Sequence, residues 1–423
     1  TQAIAFFAGS GDREGEAEAT MHLARLEWYQ GNAERVDALD ARALELVAEL
    51  PPSPMVARVT ISVAGKRQLR GDEEGALELV ERGIAIAREF GDTEVYARGL
   101  VIRGSALTQM GVPEAIADVE EALRIELDRG NAMFATRTYN NLATFMISSG
   151  DALAGLEVIE EAIDYGTQRG LVGEVGWSQM TRCEALYPLG RWDEVKGILA
   201  SYREDEQVKG TQTWVGLTAF DALVDFHRGE VSAAWGKWQT VVVAGREVRD
   251  PQILVPALGL GTMIAATAAD RATTQSLADE FASFSPNHPA FLTPVLLSAS
   301  GPMIELGMAD TVGRLLESTD ASSEWYRALL SGVAATLAAS SGRHDEALEL
   351  WSPLIMAADH RGLVLPATEA RIGAARSALA LADGEHAAVL LTVATESANA
   401  LRANLLLHRI EELRTGGTAA TGR

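Results

Sequence analysis

The chain has 423 residues, of which 47% are hydrophobic, and a formal net charge of −23. The hydrophobic content excludes wholesale disorder, and the length exceeds the ~250–300 residues at which a single core usually stops growing. We therefore expect several domains or a repeat array. Non-specific nucleic-acid binding rests on phosphate neutralisation, so we expect no direct contact with nucleic acid. The same charge discourages contact with anionic membranes.

Cysteine usage and apolar runs bear on the compartment. Cys183 is the single cysteine, so the chain cannot build an intrachain disulfide framework or a cysteine-rich zinc site. No apolar run is long enough to cross a bilayer, and the signal-peptide pattern is missing. These features predict a cytoplasmic protein. The chain starts at Thr1 rather than Met, which suggests a fragment or a processed chain.

A recurring sequence pattern of turn glycines and small residues runs through the first 250 residues, as in "RGDEEGALELVERGIAIAREFGD" (70–92). Turn glycines recur with gaps of 39 or 40 residues, at Gly31, Gly71, Gly111, Gly150, Gly190 and Gly229. A fixed period of this length is typical of a solenoid.

Two columns of small residues share this period. Seven residues before the turn glycines stand Ala24, Ala64, Gly104, Ala143, Cys183 and Ala222. A second column comprises Ala43, Gly83, Ala122 and Ala162. Small residues in register are what two helices need where their backbones approach closely, so each unit is predicted to be a helical hairpin, with helices A and B.

The spacing within a unit supports helices. After Gly111, Ile116, Val119, Leu123 and Leu127 fall on one helical face. The glycine ends helix A in a left-handed conformation, and the acid that often follows it favours the start of helix B. Helix A is predicted at 14–29, 54–69, 92–109, 131–148, 171–188 and 211–227. Helix B is predicted at 33–49, 72–90, 113–129, 151–169, 191–208 and 230–249.

The remaining sequence divides into three parts. After regular repeats over 1–249, residues 250–320 are predicted to form divergent repeats or a bend, because the prolines of 284–294 preclude an uninterrupted helix. The pattern returns at 341–351, so 321–414 are predicted to hold C-terminal repeats and a closing helix. Residues 415–423 are predicted to be a disordered tail. About ten units fill the chain.

These residues resemble the tetratricopeptide-repeat superfamily. The likeness lies in Ala64, the Gly71-Asp72 turn, Ala76 and Gly83, although the units are longer than the usual 34 residues. The longer form resembles the C-terminal helical arms of large bacterial ATP-binding regulators, namely LuxR-type activators and ATPase-linked class III adenylate cyclases. The resemblance implies an all-α solenoid, coiled as a right-handed superhelix with a concave groove. It also implies an ATPase, cyclase or DNA-binding module attached outside this chain.

Helix A is expected to line that groove. The side chains predicted to point inward are Arg58, Arg98, Arg137, Asn140, Trp177 and Met180. The three arginines share one repeat position and would form a ladder that can receive an acidic peptide, a carboxylate or a phosphate. Alternatively, each arginine pairs with a neighbouring acid and has no further role.

Catalytic signatures are missing from the sequence. The histidines form no HExxH or other local zinc pattern, and no GxxxxGK[ST] phosphate loop occurs. Cys183 occupies the small-residue column, which predicts packing rather than nucleophilic chemistry. We therefore expect no enzyme, metal or cofactor. The remaining alternative of that class is an enzyme whose site lies in the divergent region 250–320, with polar groups such as Asn287 or His288.

The sequence thus predicts a non-catalytic repeat arm of a bacterial signalling or transcription regulator. Its partner would be a protein or peptide, an acidic one among the candidates, or a small effector. The alternative is a free-standing adaptor that assembles a protein complex.

Overall fold

The structure, a computed structural model, describes residues 2–29, 32–112, 114–202, 211–248, 251–283, 289–319 and 323–420. Within these ranges the chain forms 22 helices and no strand. Asn287 and His288 lie outside the described residues.

Successive helices along the chain are joined in pairs by short turns. The first eleven are α1 Gln2–Ser10, α2 Arg13–Tyr29, α3 Ala33–Ala48, α4 Pro54–Gln68, α5 Glu73–Phe90, α6 Thr93–Gln109, α7 Ala115–Asp128, α8 Ala132–Ser148, α9 Ala152–Thr167, α10 Val172–Leu186 and α11 Trp192–Tyr202. The others are α12 Gln212–His227, α13 Val231–Val248, α14 Pro251–Thr267, α15 Arg271–Ala282, α16 Pro289–Glu305, α17 Ala309–Ser318, α18 Glu324–Ser340, α19 His344–His360, α20 Val364–Ala380, α21 Gly384–Leu401 and α22 Asn404–Ala420. Helices α2 to α21 make ten hairpins, so the predicted all-α array of about ten units is confirmed.

The predicted helix boundaries of the six regular units agree with the structure to within two residues. The exception is the end of α11, because residues 203–208 lie outside the described part of the chain. The predicted capping of B helices by an acid after the turn glycine is also observed. For example, Asp72 caps α5 by accepting a hydrogen bond from the Gly75 amide at 3.0 Å.

The turn position and the small-residue column extend through the whole array. Gly71, Gly111, Gly150, Gly190 and Gly229 all have positive φ, whereas Gly31 lies outside the described residues. Further positive φ values occur at Ala269, Gly307, Gly342 and Ala382. Seven residues before these four turns lie Thr262, Ser300, Ala335 and Ala375, which are at most 2% exposed. The buried small column therefore has a member in each of these units.

Residues 251–318 hold two further hairpins, α14–α15 and α16–α17. Their repeat pattern is faint in the sequence because Ala269 replaces the turn glycine, and Thr262 and Ser300 replace alanine. Pro289 begins α16, where its missing amide costs no helical hydrogen bond.

The two alanines in left-handed turns make a stability prediction. A non-glycine residue in this conformation costs roughly 1–2 kcal/mol, part of which the greater flexibility of unfolded glycine offsets. Ala269→Gly and Ala382→Gly are each expected to raise the free energy of unfolding by about 0.5–1 kcal/mol. The reverse change, Gly342→Ala, is expected to lower it by a similar amount, since no heavy atom lies within 4 Å of an added Cβ there. Urea unfolding followed by circular dichroism measures the free energy of unfolding of all three variants. A lower free energy of unfolding in both alanine-to-glycine variants would contradict the left-handed conformation of Ala269 and Ala382.

Contacts divide the chain into two compact units. The first comprises Thr1–Phe145, Glu161–Val175 and Glu247–Asp250. Its core lies within and between hairpins, and successive A helices pack together, α2 against α4 and α4 against α6. Ile61 of α4 fills the space that Gly83 leaves, where an added Cβ would lie 2.5 Å from its Cγ1. This close approach explains the second small-residue column.

The second unit comprises Met146–Glu160, Gly176–Arg246 and Pro251–Arg423. Its A helices follow one another in contact from α12 through α14, α16, α18 and α20 to α22, and α22 in turn contacts α12. The helices thus close a ring. Turns strengthen the closure, since the Leu365 amide donates to the Pro188 carbonyl at 3.2 Å and Asn404 Nδ2 donates to the Arg228 carbonyl at 2.8 Å.

The C-terminal helix is longer than the sequence predicts. Helix α22 continues to Ala420, so residues 415–420 are helical, whereas they were expected within a disordered tail. Thr415 Oγ1 donates to the Glu411 carbonyl at 2.9 Å, one turn earlier. Residues 421–423 lie outside the described residues. Among the described helices, none has the length and apolar character needed to cross a membrane.

Candidate binding surface

Arg58, Arg98 and Arg137, here called the arginine row, lie on the A helices α4, α6 and α8 of the first unit. Each stands thirteen residues before its turn glycine, so the three side chains occupy equivalent places on successive hairpins. Their side chains are 41%, 34% and 49% exposed, respectively. The row therefore reaches solvent.

Every arginine of the row has a carboxylate partner. Arg58 Nη1 lies 3.4 Å from Glu18 Oε1, Arg98 Nη2 lies 2.7 Å from Glu94 Oε1, and Arg137 Nη2 lies 3.1 Å from Glu174 Oε1. Pairing with neighbouring acids, the alternative raised by the sequence, thus occurs. Exposed pairs of this kind contribute only about 0–1 kcal/mol each, so an incoming carboxylate can replace the partner at little cost.

An aromatic ring connects two members of the row. The Arg98 guanidinium carbon lies 4.1 Å from the centroid of Phe134, and that of Arg137 lies 5.8 Å from it. Phe134 precedes Arg137 by one helical turn on α8. The ring orients both guanidinium groups through cation–π contact, which limits the freedom that they lose on binding a ligand.

Arg98 is the middle member of the row and interacts electrostatically with Arg58. Burial is the main cause that lowers the pKa of its guanidinium; Glu94 and Glu126 oppose this effect, while Arg25 and Arg58 add to it. Its Nε is buried and has no hydrogen-bond partner. Arg98 therefore combines a partly desolvated positive charge with an unused donor.

The other predicted groove residues behave differently. Asn140 is only 6% exposed, so its amide is largely inaccessible to a ligand. Trp177 and Met180 belong to the second unit, where both are half-buried. Met180 packs against α12 at Gly216, where an added Cβ would lie 2.7 Å from its Cε. The structure therefore gathers the three arginines, but does not present Asn140 beside them on the surface.

Sequence reasoning raised neighbouring acids as partners of the row but did not identify which acids they are, and it missed the aromatic ring. Glu18 stands 40 residues before Arg58, at the same repeat position, so the repeat register itself signals an acid beside the first arginine. Phe134 could have been found from its spacing to Arg137. Glu94 is shared, since it also lies 3.1 Å from Arg129 Nη2, and this arrangement has no sequence signal.

The described residues bear on two kinds of catalytic group, a nucleophilic cysteine and a metal site. Cys183 is 1% exposed, and burial raises the pKa of its thiol to about 12, so it stays protonated at neutral pH. In the described part of the chain, no group of three or more His, Cys, Asp or Glu side chains is placed to hold a metal ion.

Known structures resemble this array in fold. The structure of Rap protein complexed with competence and sporulation factor covers 82% of this chain and 99% of its own, with 11% identity and a TM-score of 0.51. At this identity the likeness is one of fold alone, and this chain shares with that structure an all-α array of helical hairpins. The Cut9–Hcn1 hetero-tetramer of the APC/C covers 95% of this chain and 93% of its own, with 13% identity and a TM-score of 0.39.

Yeast Tom70 covers 98% of this chain and 94% of its own, with 14% identity and a TM-score of 0.35. Of these three, only the Rap structure has a TM-score above 0.5, so the statement about fold rests on it. No family model matches the sequence, and no curated protein matches it.

Proposed function

We propose that this tetratricopeptide-like array is a non-catalytic binding arm, whose arginine row takes an acidic segment of a protein or peptide partner. The observation that carries the proposal is the row itself: three solvent-reaching guanidinium groups at equivalent positions, two of them oriented by one phenylalanine. An arginine fork matches a carboxylate in geometry. The spacing of successive A helices suits a partner that crosses several hairpins.

The cellular role that we propose is that of a sensing or scaffolding arm of a bacterial signalling or transcription regulator in the cytoplasm. The arm would act on an ATPase, cyclase or DNA-binding module outside these 423 residues. The Rap structure was determined with competence and sporulation factor bound, which gives a precedent for partner binding by a similar fold. A free-standing adaptor would use the same row without an attached module.

A peptide titration tests the row. The probe is a fluorescein-labelled decapeptide of alternating Glu and Leu, with the Gln/Leu peptide as its neutral counterpart. Because each paired arginine contributes about 1 kcal/mol or more to a charge-assisted contact, Arg98→Gln/Arg137→Gln is expected to weaken binding of the acidic peptide at least tenfold. Fluorescence anisotropy at two salt concentrations gives the affinities.

The matched control removes two arginines from B helices of the same unit. Arg82 and Arg124 lie on α5 and α7 and are exposed, so Arg82→Gln/Arg124→Gln changes the net charge equally. This variant is expected to keep the affinity within about twofold. Equal weakening by both double variants would attribute binding to overall charge and overturn the proposal.

A further inference from the structure

Glu94, in the first turn of α6, contacts two arginines through its two carboxylate oxygens. Its Oε1 lies 2.7 Å from Arg98 Nη2, and its Oε2 lies 3.1 Å from Arg129 Nη2. Arg98 belongs to the arginine row, whereas Arg129 follows the end of α7. All three residues belong to the first unit. One carboxylate thus accepts a charge-assisted hydrogen bond from each of two guanidinium groups.

Other contacts position the two guanidinium groups around this carboxylate. Arg129 Nη1 donates a hydrogen bond to Thr93 Oγ1 at 2.6 Å. The guanidinium carbon of Arg98 lies 4.1 Å from the centroid of Phe134, so the group lies over the ring. Because neither contact involves Glu94, both arginines keep a partner when the Glu94 carboxylate moves away.

Two carboxylates lie near Arg129, and only one of them can exchange with a ligand. Glu126 Oε2 lies 4.0 Å from Arg129 Nε, and Glu126 is only 2% exposed. The side chain of Glu94 is 37% exposed, so it can turn toward solvent. Burial raises the pKa of Glu126, and the charge of Glu94 adds to this effect while Arg129 and Arg98 oppose it. Glu94 is therefore the exchangeable carboxylate, and Glu126 repels it.

Building on the proposed function, we propose that Arg98, Arg129 and Phe134 form a carboxylate slot for the acidic partner, and that Glu94 occupies this slot in the free protein. An incoming carboxylate can accept the same two hydrogen bonds, because its oxygens have the spacing of those of Glu94. The displaced Glu94 then faces solvent, which costs little because partly exposed ion pairs are weak.

Competition by Glu94 makes the row selective. A single carboxylate gains little from entering the slot, since the contacts that it forms replace equivalent contacts of Glu94. A segment with several acids gains more, because its further carboxylates reach Arg58 and Arg137 on the neighbouring A helices. The slot thus favours acidic segments over isolated carboxylates.

The carboxylate that enters the slot could belong to an acidic side chain or to the C-terminus of the partner. Both present the same pair of oxygens to the two guanidinium groups. Two fluorescein-labelled probes separate these sources: the Glu/Leu decapeptide with an amidated C-terminus, and the Gln/Leu decapeptide with a free C-terminus. The amidated Gln/Leu decapeptide carries neither kind of carboxylate and gives the background.

Fluorescence anisotropy with the full chain tests the slot. Glu94→Gln removes the competing charge and keeps the shape of the side chain, so it is expected to tighten binding of the amidated Glu/Leu peptide about threefold or more. Arg129→Gln removes a member of the slot that lies outside the row, and it is expected to weaken the same binding about fivefold or more. Neither change should alter the background binding of the amidated Gln/Leu peptide.

The matched control changes an acid that pairs with an arginine outside the slot. Glu81 of α5 is exposed, and its Oε1 lies 3.2 Å from Arg103 Nη1. Glu81→Gln therefore removes an equal charge from the same unit. It is expected to keep the affinity within about 1.5-fold, because salt screens an exposed charge away from the slot. Circular dichroism confirms that each variant is folded.

The outcomes separate the slot from the row. Tighter binding in Glu94→Gln but not in Glu81→Gln, with weaker binding in Arg129→Gln, supports the slot, and the peptide that shows the effect identifies the source. Binding that is lost in Arg98→Gln/Arg137→Gln but unchanged in Glu94→Gln retains the row and overturns the slot. Equal tightening in Glu94→Gln and Glu81→Gln also overturns it. No binding of either peptide by the unaltered chain or by Glu94→Gln overturns both the slot and the proposed function.

Discussion

Asp221→Ala is expected to lower the free energy of unfolding by about 3–5 kcal/mol, the usual loss when one partner of a buried ionic group is removed. Asp221 of α12 is 1% exposed and accepts hydrogen bonds from Lys196 of α11 and Lys237 of α13. Asp225, one turn later, pairs with the same two lysines. The four charges cancel, and each lysine connects α12 to a neighbouring helix.

Removal of Asp221 leaves two lysines with one carboxylate. Burial raises the pKa of Asp221, but hydrogen bonds from Lys196 and Lys237 outweigh it, so the pKa is lowered overall. Lys237 shows the reciprocal effect, since its pKa is raised by Asp221 and Asp225 against burial. Stability from the lowered aspartate pKa is present at neutral pH and is lost as pH falls through the folded-state value.

Urea unfolding at pH 7 measures this loss. The matched control is Asp345→Ala in the first turn of α19, where an exposed acid contributes only about 0.3–1 kcal/mol through the helix dipole. A loss below 1 kcal/mol for Asp221→Ala would show that the four-charge cluster adds no more than a surface pair.

His227→Phe is expected to make the protein more resistant to acid. His227 is buried against the rings of Trp192, at 5.4 Å between centroids, and Phe226, at 5.3 Å. Burial lowers its pKa to about 3, whereas the unfolded value is near 6.5. The unfolded chain therefore binds a proton that the folded chain excludes, so stability falls as pH decreases from 6.5 toward 3.

The size of the effect follows from the two pKa values. Between pH 7 and pH 4, protonation of the unfolded imidazole removes about 3 kcal/mol from the stability of the unaltered chain. Phenylalanine keeps the ring contacts and has no such term. The advantage of His227→Phe should thus grow by about 3 kcal/mol over this interval.

Unfolding by urea at pH 7 and at pH 4 gives this difference directly. His360→Gln, at an exposed position at the end of α19, should change the pH dependence of stability by less than 1 kcal/mol, because its side chain faces solvent rather than the core. An advantage of His227→Phe that does not vary with pH would mean that the folded chain accommodates the charged imidazole.

Sequence alone predicted the repeat architecture because its signals are local. A turn glycine such as Gly71 and a small residue such as Ala64 recur within one hairpin, and each hairpin packs mainly on its neighbours. The pattern failed at Ala269, because an alanine can adopt the left-handed conformation at modest cost. The helix bounds of the six regular units and the number of units were therefore predictable, while residues 250–320 could be predicted only as divergent repeats or a bend, without helix bounds.

Among the candidate functional residues, those that follow the repeat period could likewise be predicted and the others could not. The arginine row was predictable because Arg58, Arg98 and Arg137 obey the repeat period, although their shared ring, Phe134, was missed. The contacts that close the ring of the second unit have no period. His227 of α12 and Arg409 of α22 interact electrostatically because α22 returns to α12, and no local sequence pattern encodes that return.

The most direct test of the arginine row as the binding surface is hydrogen–deuterium exchange, measured with and without the acidic Glu/Leu decapeptide. Slower exchange confined to peptides of α4, α6 and α8, and absent from α5 and α7, is the predicted result. It should vanish in Arg98→Gln/Arg137→Gln. Protection on the B helices or in the second unit, with α4, α6 and α8 unchanged, would contradict the account.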